Sequence, residues 1–86
     1  MANHKLFSLI RAMKREMEYQ DNKYGKPEDR GLSDYEYWNY AQDEMEESMS
    51  DIRDGNFIFA RQEALQAMTI IGRWLMTHGI EERSDV

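Results

Sequence analysis

Apolar residues recur at helical spacing in three segments of this chain, while charged and amide side chains fill most of the other positions. The segments cover about residues 3–22, 34–54 and 57–78. Apolar positions three and four residues apart fall on one face of a helix, whereas a strand would show strict alternation. The pattern therefore predicts an all-α chain of three helices in a single domain, residues 1–86, with a polar tail at 81–86.

Residues typical of helix ends separate the three segments. Gly25 and Pro27 follow the first segment, because glycine suits the position after a helix and proline cannot continue one. The segment Ser33–Glu36 has the S-x-x-E pattern of a capping box, which begins the second helix. Gly55 ends that helix and Asn56 can cap the next, so the link between them is very short. A link of this length predicts that the second and third helices form an antiparallel hairpin.

The third helix is apolar over more than half of its circumference, and such a helix is buried on several sides. A chain of 86 residues is also near the size at which a single core is only marginally sufficient. We therefore expect the chain to associate through its third helix into a helical-bundle dimer or a higher oligomer such as a tetramer. On the second helix the predicted buried stripe consists of Trp38, Ala41, Met45, Met49 and Ile52.

Charge and composition narrow the classes of partner and the compartment. The net charge is −6, and residues 34–54 alone carry a balance of −7. An acidic helix of this kind repels phosphate groups, so direct binding of DNA or RNA is not expected. The chain has no cysteine, no apolar signal segment at its N-terminus and no run of roughly 18 apolar residues that would span a membrane. We therefore expect a cytoplasmic protein without a membrane partner.

Two polar pairs stand at equal distances on either side of the predicted hairpin turn. Glu47 and Glu63 each lie eight residues from Gly55, and Glu44 and Gln66 each lie eleven residues from it. A spacing of three places two side chains on one helix face, so the pairs would face each other roughly 12 to 16 Å from the turn. Three carboxylates and one amide oxygen could then hold a hard divalent cation, which prefers oxygen ligands.

Glu63 borders the apolar side of the third helix, near Ala67 and Ile70, where an unpaired charge is costly. Three alternatives remain open from the sequence. The carboxylate could form an ion pair with Arg61 or Arg73, share a metal ion with the glutamates of the second helix, or be exposed to water. Identifying the group that neutralises Glu63 would therefore distinguish a structural role of this residue from a functional one.

The order of these motifs resembles the short all-α nucleotide pyrophosphohydrolases of the MazG-like family, which include phage-encoded members. That family carries an E-E-x-x-E motif followed, further along the chain, by E-x-x-D. Asp43–Glu47 resembles the first motif with aspartate in the leading position, and Glu63–Gln66 resembles the second with glutamine in place of the final aspartate. The segments Gln20–Gly25 and Arg73–Leu75, and a tryptophan like Trp38 before the acidic motif, extend the resemblance over most of residues 6–76.

The resemblance implies hydrolysis of a nucleoside triphosphate, (d)NTP, to (d)NMP and pyrophosphate, with magnesium as the cofactor and manganese as the alternative metal. By matching position, Glu44, Glu47 and Glu63 would be the catalytic metal ligands. Asp43 would take part more weakly or from outside the ligand set, and Gln66 would supply at most a neutral oxygen. Because glutamine removes one negative charge, the resemblance is compatible with a weakened or an inactive site.

Other residues could complete such a site. Asp51 lies one turn beyond Glu47 on the same flank of the second helix and could replace the missing charge. Substrate phosphates need cations, for which Lys14 and Lys23 are candidates, although each also fits a solvated surface. Trp38 could stack a nucleobase, although its place in the predicted stripe also fits the core.

A second class of function fits the same charge pattern. A small acidic helical protein, such as a phage-type inhibitor or a DNA mimic, could use the anionic second helix to bind a basic protein partner. The chain could also bind a nucleotide without cleaving it. Hydrolysis that depends on magnesium or manganese would separate the enzyme from both of these alternatives.

Overall fold

The structure of the protein is a computed structural model that describes residues 3–84. Its helices are α1 (His4–Tyr24), α2 (Pro27–Arg30), α3 (Asp34–Arg53) and α4 (Phe57–His78). No strand occurs between residues 3 and 84, which confirms the predicted all-α class. The predicted polar tail is described only as far as Ser84, in a stretch without helix, and its last two residues lie outside the described range.

Side chains and glycines fix the ends of α1 and α2. The Asn3 side chain accepts a hydrogen bond from the Leu6 N–H at 3.0 Å, which begins α1. The helix ends at Tyr24, because Gly25 adopts a φ of 83° that few other residues tolerate. The next segment, predicted as a loop, contains the single helical turn α2. Pro27 stands at its first position, where the fixed φ of proline suits a helix and its missing N–H leaves no donor unpaired.

The capping box predicted at the start of α3 is present. The Ser33 hydroxyl accepts from the Glu36 N–H at 3.2 Å, and the Glu36 carboxylate accepts from the Ser33 N–H at 3.1 Å. These hydrogen bonds lower the pKa of Glu36. Between α3 and α4, Gly55 has a φ of 78°. The predicted cap of α4 is wrong in one respect, since Asn56 occupies the cap position but its side chain makes no capping hydrogen bond.

Contacts between α3 and α4 join the beginning of each helix to the end of the other. Near the turn, the Ser48 hydroxyl donates to the Ala60 carbonyl at 2.7 Å, and this hydrogen bond is buried. At the far end, Trp74 Nε1 donates to an Asp34 carboxylate oxygen at 2.9 Å. Tyr37, fully buried, meets the His78 ring edge-on at 5.7 Å between centroids.

The predicted buried stripe of α3 is wrong. Only Ala41 of its five members is buried, whereas the other four are between 41% and 56% exposed. The buried residues of α3 are Tyr37, Ala41 and Ser48, so the face toward α4 is rotated away from the most apolar side. The reason lies in α4, whose buried Ala60 and Ala67 leave room for close approach without large apolar partners.

The broad apolar surface of α4 has a partial explanation within the chain, because α4 packs against both α3 and α1. Gly72 allows the approach of α1: a Cβ at this position would lie 3.2 Å from Met13 Cε and 3.8 Å from Met17 Cε. The N-terminal half of α1 continues beyond this contact, and residues 3–10 are all exposed. Within residues 3–84, no helix has both the length and the apolar character needed to cross a lipid bilayer.

Arg73 ties α1 and α2 to α4. Its guanidinium donates to the Asp21 carboxylate at 2.9 Å and to the Glu28 carboxylate at 3.3 Å. The Arg73 side chain is only 13% exposed, so these charge-assisted hydrogen bonds are partly shielded from water. Thr77 donates to the same Glu28 oxygen at 3.2 Å.

We predict that Arg73→Ala lowers the free energy of unfolding by about 1–3 kcal/mol, the range for hydrogen bonds to charged groups. Asp21 would lose its cation while remaining partly buried. Urea denaturation followed by circular dichroism measures the change. The matched control is Arg61→Ala, which removes an exposed arginine of the same helix and should change stability by no more than about 0.5 kcal/mol. Equal effects of the two substitutions would contradict the structural role of Arg73.

Candidate functional site

Four carboxylates lie near enough for their charges to interact where the second half of α3 faces the first half of α4. Glu44, Glu47 and Asp51 are spaced three and four residues apart on α3, and Glu63 lies on α4. The charges of all three α3 residues act on the Glu63 carboxyl. These four residues form what we call the acidic cluster. The cluster brings Glu63 together with both glutamates of the predicted pairs and with Asp51.

Glu63 forms no ion pair with a basic side chain in the described part of the chain, residues 3–84. Its Oε2 atom is buried and, within residues 3–84, has no hydrogen-bond donor. Arg73 is engaged with Asp21 and Glu28 instead, and Arg61 is exposed and forms no ion pair among the described residues. The ion-pair alternative is therefore wrong for both arginines. The exposed alternative is also wrong, since the Glu63 side chain is half-buried.

The environment of the cluster favours a proton or another cation. Burial is the largest cause that raises the pKa of Glu63 to about 7. The neighbouring Asp51 carboxylate raises the pKa of Glu63 further. Burial also raises the pKa of Glu44, and the charges of Glu47, Asp43 and Glu16 add to this shift.

A cleft of about 400 Å³ opens beside the acidic cluster, between α1, α2, α3 and α4. Its lining includes four residues of the predicted site, namely Asp43, Glu44, Gln66 and Lys23. Small-molecule sites in proteins commonly have volumes of about 300 to 1,000 Å³. The cleft is therefore large enough for a ligand that reaches the cluster through Glu44.

The lining of the cleft includes both cationic side chains and aromatic rings. Lys23 Nζ lies 5.1 Å from the centroid of the Tyr24 ring and 5.7 Å from that of Tyr19. A hydrogen bond with Tyr24, followed by the charge of Tyr19, raises the pKa of Lys23, so its ammonium group stays charged at neutral pH. The Arg30 guanidinium lies 5.9 Å from the centroid of Tyr40. Such an arrangement can bind an anion that carries a planar ring.

Four other predicted site residues lie outside the cleft lining. Lys14 is exposed on α1, and Trp38 packs edge-on against Trp74 with ring centroids 5.4 Å apart. Glu47 and Glu63 belong to the cluster but not to the lining. The substrate-binding roles of Lys14 and Trp38 stay predictions.

Sequence reasoning missed two charged residues near the site. Glu16 of α1 lines the cleft and accepts a hydrogen bond from Gln20 Nε2 at 2.9 Å. Arg30 also lines the cleft, and it lies in the segment that was predicted as a loop. Pro27 followed by two acids is typical of the first turn of a helix, and this signal could have placed Arg30 on α2. No comparable signal in the sequence brings Glu16 close to Glu44.

The carboxylates converge without forming a ligand set. From residue 3 to residue 84, no three Asp, Glu or His side chains are placed so that they could jointly hold a metal ion. Carboxylates that face one another without a cation repel, so this spread is the arrangement expected of the ionised side chains alone. The donor-free Glu63 Oε2 nevertheless fits a cation, because a bound cation would give this buried carboxylate oxygen a partner.

Comparisons with known proteins provide no family and no function for this chain. No protein-family model matches the sequence, and no curated protein or solved structure is significantly similar to it. The resemblance to the MazG-like family therefore stays a prediction that rests on the motifs themselves.

We predict that Glu63 makes the protein less stable as the pH rises from about 4.5 to about 7. Its pKa is higher in the folded state than in the unfolded chain, so the folded state holds the proton over this interval and stability falls as the proton is lost. Urea midpoints between pH 4.5 and pH 8, without divalent cations, measure the slope. Glu63→Gln should flatten the slope and raise the midpoint at pH 8.

The matched control for this measurement is Glu46→Gln, since Glu46 is an exposed glutamate of α3. It should leave the slope of the wild-type protein unchanged. An unaltered slope in Glu63→Gln would show that the Glu63 carboxyl is not in the environment described here.

Proposed function

We propose that the protein is a magnesium-dependent nucleotide pyrophosphohydrolase of the MazG-like type, which cleaves (d)NTP to (d)NMP and pyrophosphate. Manganese is the alternative metal. The observation that carries the proposal is the buried Glu63 Oε2, which has no donor within residues 3–84 and lies within reach of three further carboxylate charges. A site of this kind costs stability unless a cation occupies it.

The proposal includes an antiparallel α3–α4 hairpin, as the short link predicts. The hydrogen bonds Ser48–Ala60 and Trp74–Asp34 support it, because they join opposite ends of the two helices. In such a hairpin, residues equally far from Gly55 lie at the same height.

Glu44, Glu47 and Glu63 would hold the metal, with Gln66 as a neutral oxygen ligand and Asp43 outside the ligand set. Asp51, not Gln66, supplies the additional negative charge close to Glu63. When bound, the metal neutralises charge on the phosphates and lowers the pKa of a bound water. The side chains of the cluster would have to turn inward to hold it, because no three of them are placed as a ligand set among the described residues.

Side chains of the cleft would bind the phosphates and the base of the substrate. Lys23 and Arg30 line the cleft as cations and would bind the phosphate tail, since charge-assisted hydrogen bonds to phosphate are among the strongest available. The ring of Tyr40 or Tyr24 would stack against the base.

We further propose that the protein functions as a homo-oligomer in the cytoplasm, where nucleoside triphosphates are found. Support for self-association comes from the small core, because only six of the described residues are buried and just one of them, Tyr37, is large. An origin in a phage stays a prediction.

A second candidate function rests on a different surface. Asp43 and Glu46 are exposed on α3, and Asp54 is exposed just after its end; these residues could bind a basic protein without any catalysis. In that case, neutralising these three residues would abolish capture of the basic partner.

We predict pyrophosphate release from at least one member of a panel of standard and modified (d)NTPs in the presence of magnesium or manganese. Glu47→Gln and Glu63→Gln should each lower kcat/KM at least about 100-fold, since even residues that only orient metal ligands are worth about 10- to 100-fold. Coupled detection of pyrophosphate and analysis of the nucleotide product measure both quantities. Glu46→Gln is the control and should retain activity.

Thermal unfolding provides a second test of the enzyme proposal, because it reports metal binding without turnover. Either metal should raise the melting temperature of the wild-type protein, because a ligand of the folded state stabilises it, and should have less effect on Glu63→Gln. Absence of both turnover and metal-induced stabilisation would contradict the enzyme proposal and favour the acidic binding protein. Stabilisation by metal and nucleotide without turnover would identify a nucleotide-binding protein with an inactive site.

We predict that Lys23→Ala and Arg30→Ala each raise KM for the nucleotide by about tenfold, which corresponds to about 1.4 kcal/mol of lost binding. Initial rates over a range of substrate concentrations measure the change, with kcat expected to vary less. Lys5→Ala removes an exposed lysine of α1 outside the cleft and serves as the control. A KM unchanged in both cleft variants would show that the substrate binds elsewhere.

A further inference from the structure

The short helix α2 contributes to the wall of the cleft, yet little holds it to the rest of the chain. Pro27 and Arg30 belong to the cleft lining, whereas none of residues 26–30 is buried. Segments without buried contacts are the ones that open most easily in folded proteins. We propose that residues 26–30 form a hinged lid over the cleft, with Glu28 as the latch that holds the lid against α4. The ligand enclosed by the lid is the nucleotide of the proposed function, on which this part of the inference rests.

The backbone hydrogen bonds of the lid are almost all internal. The Asp29 and Arg30 N–H groups both donate to the Lys26 carbonyl, at 3.0 and 3.2 Å. Among residues 3–84, one backbone hydrogen bond joins the lid to the chain beyond Gly31, from the Leu32 N–H to the Pro27 carbonyl, and at 3.4 Å it is long. Movement of the lid as a unit therefore breaks at most one weak backbone hydrogen bond.

A glycine stands at each end of the lid. Gly25 has a φ of 83° and a ψ of 160°, and Gly31 has a φ of 63° and a ψ of 41°. Without a Cβ, glycine changes between such conformations and ordinary ones at little cost. The hinges of closing lids are a few positions, at loops or helix ends, that absorb changes in φ and ψ. Gly25 and Gly31 are placed to serve as these hinges.

A single carboxylate oxygen holds the lid against α4. Glu28 Oε1 accepts from the Arg73 guanidinium at 3.3 Å and from the Thr77 hydroxyl at 3.2 Å. Both distances are long for hydrogen bonds, and the Glu28 side chain is 42% exposed. Release of Glu28 leaves Arg73 with its shorter contact, at 2.9 Å to Asp21, and leaves Thr77 with the Arg73 carbonyl at 2.8 Å. Opening of the lid therefore leaves no buried charge without a partner.

The lid carries a cation into the cleft. The Arg30 guanidinium lies 5.9 Å from the centroid of the Tyr40 ring and donates to the Tyr24 carbonyl at 3.3 Å. No carboxylate forms an ion pair with Arg30 in the part of the chain that the structure describes. Arg30 can therefore bind a phosphate group when the lid is closed, and it moves away from Tyr40 when the lid opens. A phosphate chain bound to Arg30 would add to the latch and hold the lid closed.

Glu28 is a positioning residue in this scheme, because it does not belong to the cleft lining. It acts on the ligand only through the position of Arg30. Loss of the latch should therefore weaken the binding of a phosphate chain when Arg30 is present and have no further effect when Arg30 is absent.

Distances between two spin labels test the lid without any ligand. The chain has no cysteine, so labels can be placed at Asp29→Cys on the lid and at Gln62→Cys, an exposed position of α4. Dilution with unlabelled protein restricts the measured distances to those within one chain. Glu28→Gln should raise the fraction of longer distances about three- to fivefold, the upper range for a partly exposed ion pair. Glu18→Gln removes an exposed acid of α1 and should leave the distances unchanged.

Calorimetric titration with magnesium tripolyphosphate, in unlabelled protein and excess magnesium, tests the link between the latch and Arg30. Glu28→Gln should raise Kd about three- to fivefold and Arg30→Ala about tenfold. The double variant should bind no more weakly than Arg30→Ala alone, since the two residues act as one unit. Asp29→Asn removes the neighbouring exposed acid of α2 and should leave Kd unchanged. A double variant weakened about 30- to 50-fold, as expected of independent residues, would overturn the role of Glu28.

Failure of the lid and failure of the proposed function give different results. Spin-label distances that are the same in Glu28→Gln and in the wild type would overturn the lid, even in a protein that hydrolyses nucleotides. Magnesium tripolyphosphate that does not bind the wild type would contradict the nucleotide proposal and the role of Arg30 in closing the lid. The distances without ligand would in that case still decide whether Glu28 is the latch.

Discussion

Close contact between α3 and α4 is the constraint on which the other features of this structure depend. The two helices meet through small side chains, among them Ala41, Ala60 and Ala67, which are almost completely buried. Small residues bring helix axes close together, and at this distance even the Ser48 hydroxyl can reach a backbone carbonyl of the opposite helix. Side chains that flank such a contact are forced toward one another, and on this face several of them are carboxylates.

The same contact divides the polar and apolar residues of α3 in an unusual way. In most surface helices the apolar stripe faces the core and the charged residues face water. Here Glu44 and Asp51 are half-buried on the side of α4, while Met45 and Met49 are exposed. Burying carboxylates in preference to methionines costs free energy unless both groups gain partners. A cation for the carboxylates and a second chain for the methionines would supply them, so the two proposals explain one arrangement.

The helices were predictable because they depend on local signals. The capping box at Ser33 and the φ of Gly25 are set within a few residues of sequence. The packed face of α3 was not predictable, since its apolar periodicity points to one side and the small residues of α4 favour another. The partners of Arg73 could not be predicted either. Asp21 is 52 residues away, and nothing local distinguishes it from Glu63 as a partner for the arginine.

Assembly and cation binding would be linked if both proposals hold. A chain whose internal contact consists of alanines, hydroxyls and carboxylates gains little from burial within itself, because apolar burial contributes about 25 cal/mol per Å². Folding would then depend on the apolar area covered in the dimer, and the carboxylates would be held together only in folded subunits. A cation that binds the folded state stabilises it by mass action, and by the same linkage it would also favour the dimer. The exposed methionines of α3 and the acidic cluster lie on different surfaces of this helix, and they would nevertheless act on one folding equilibrium.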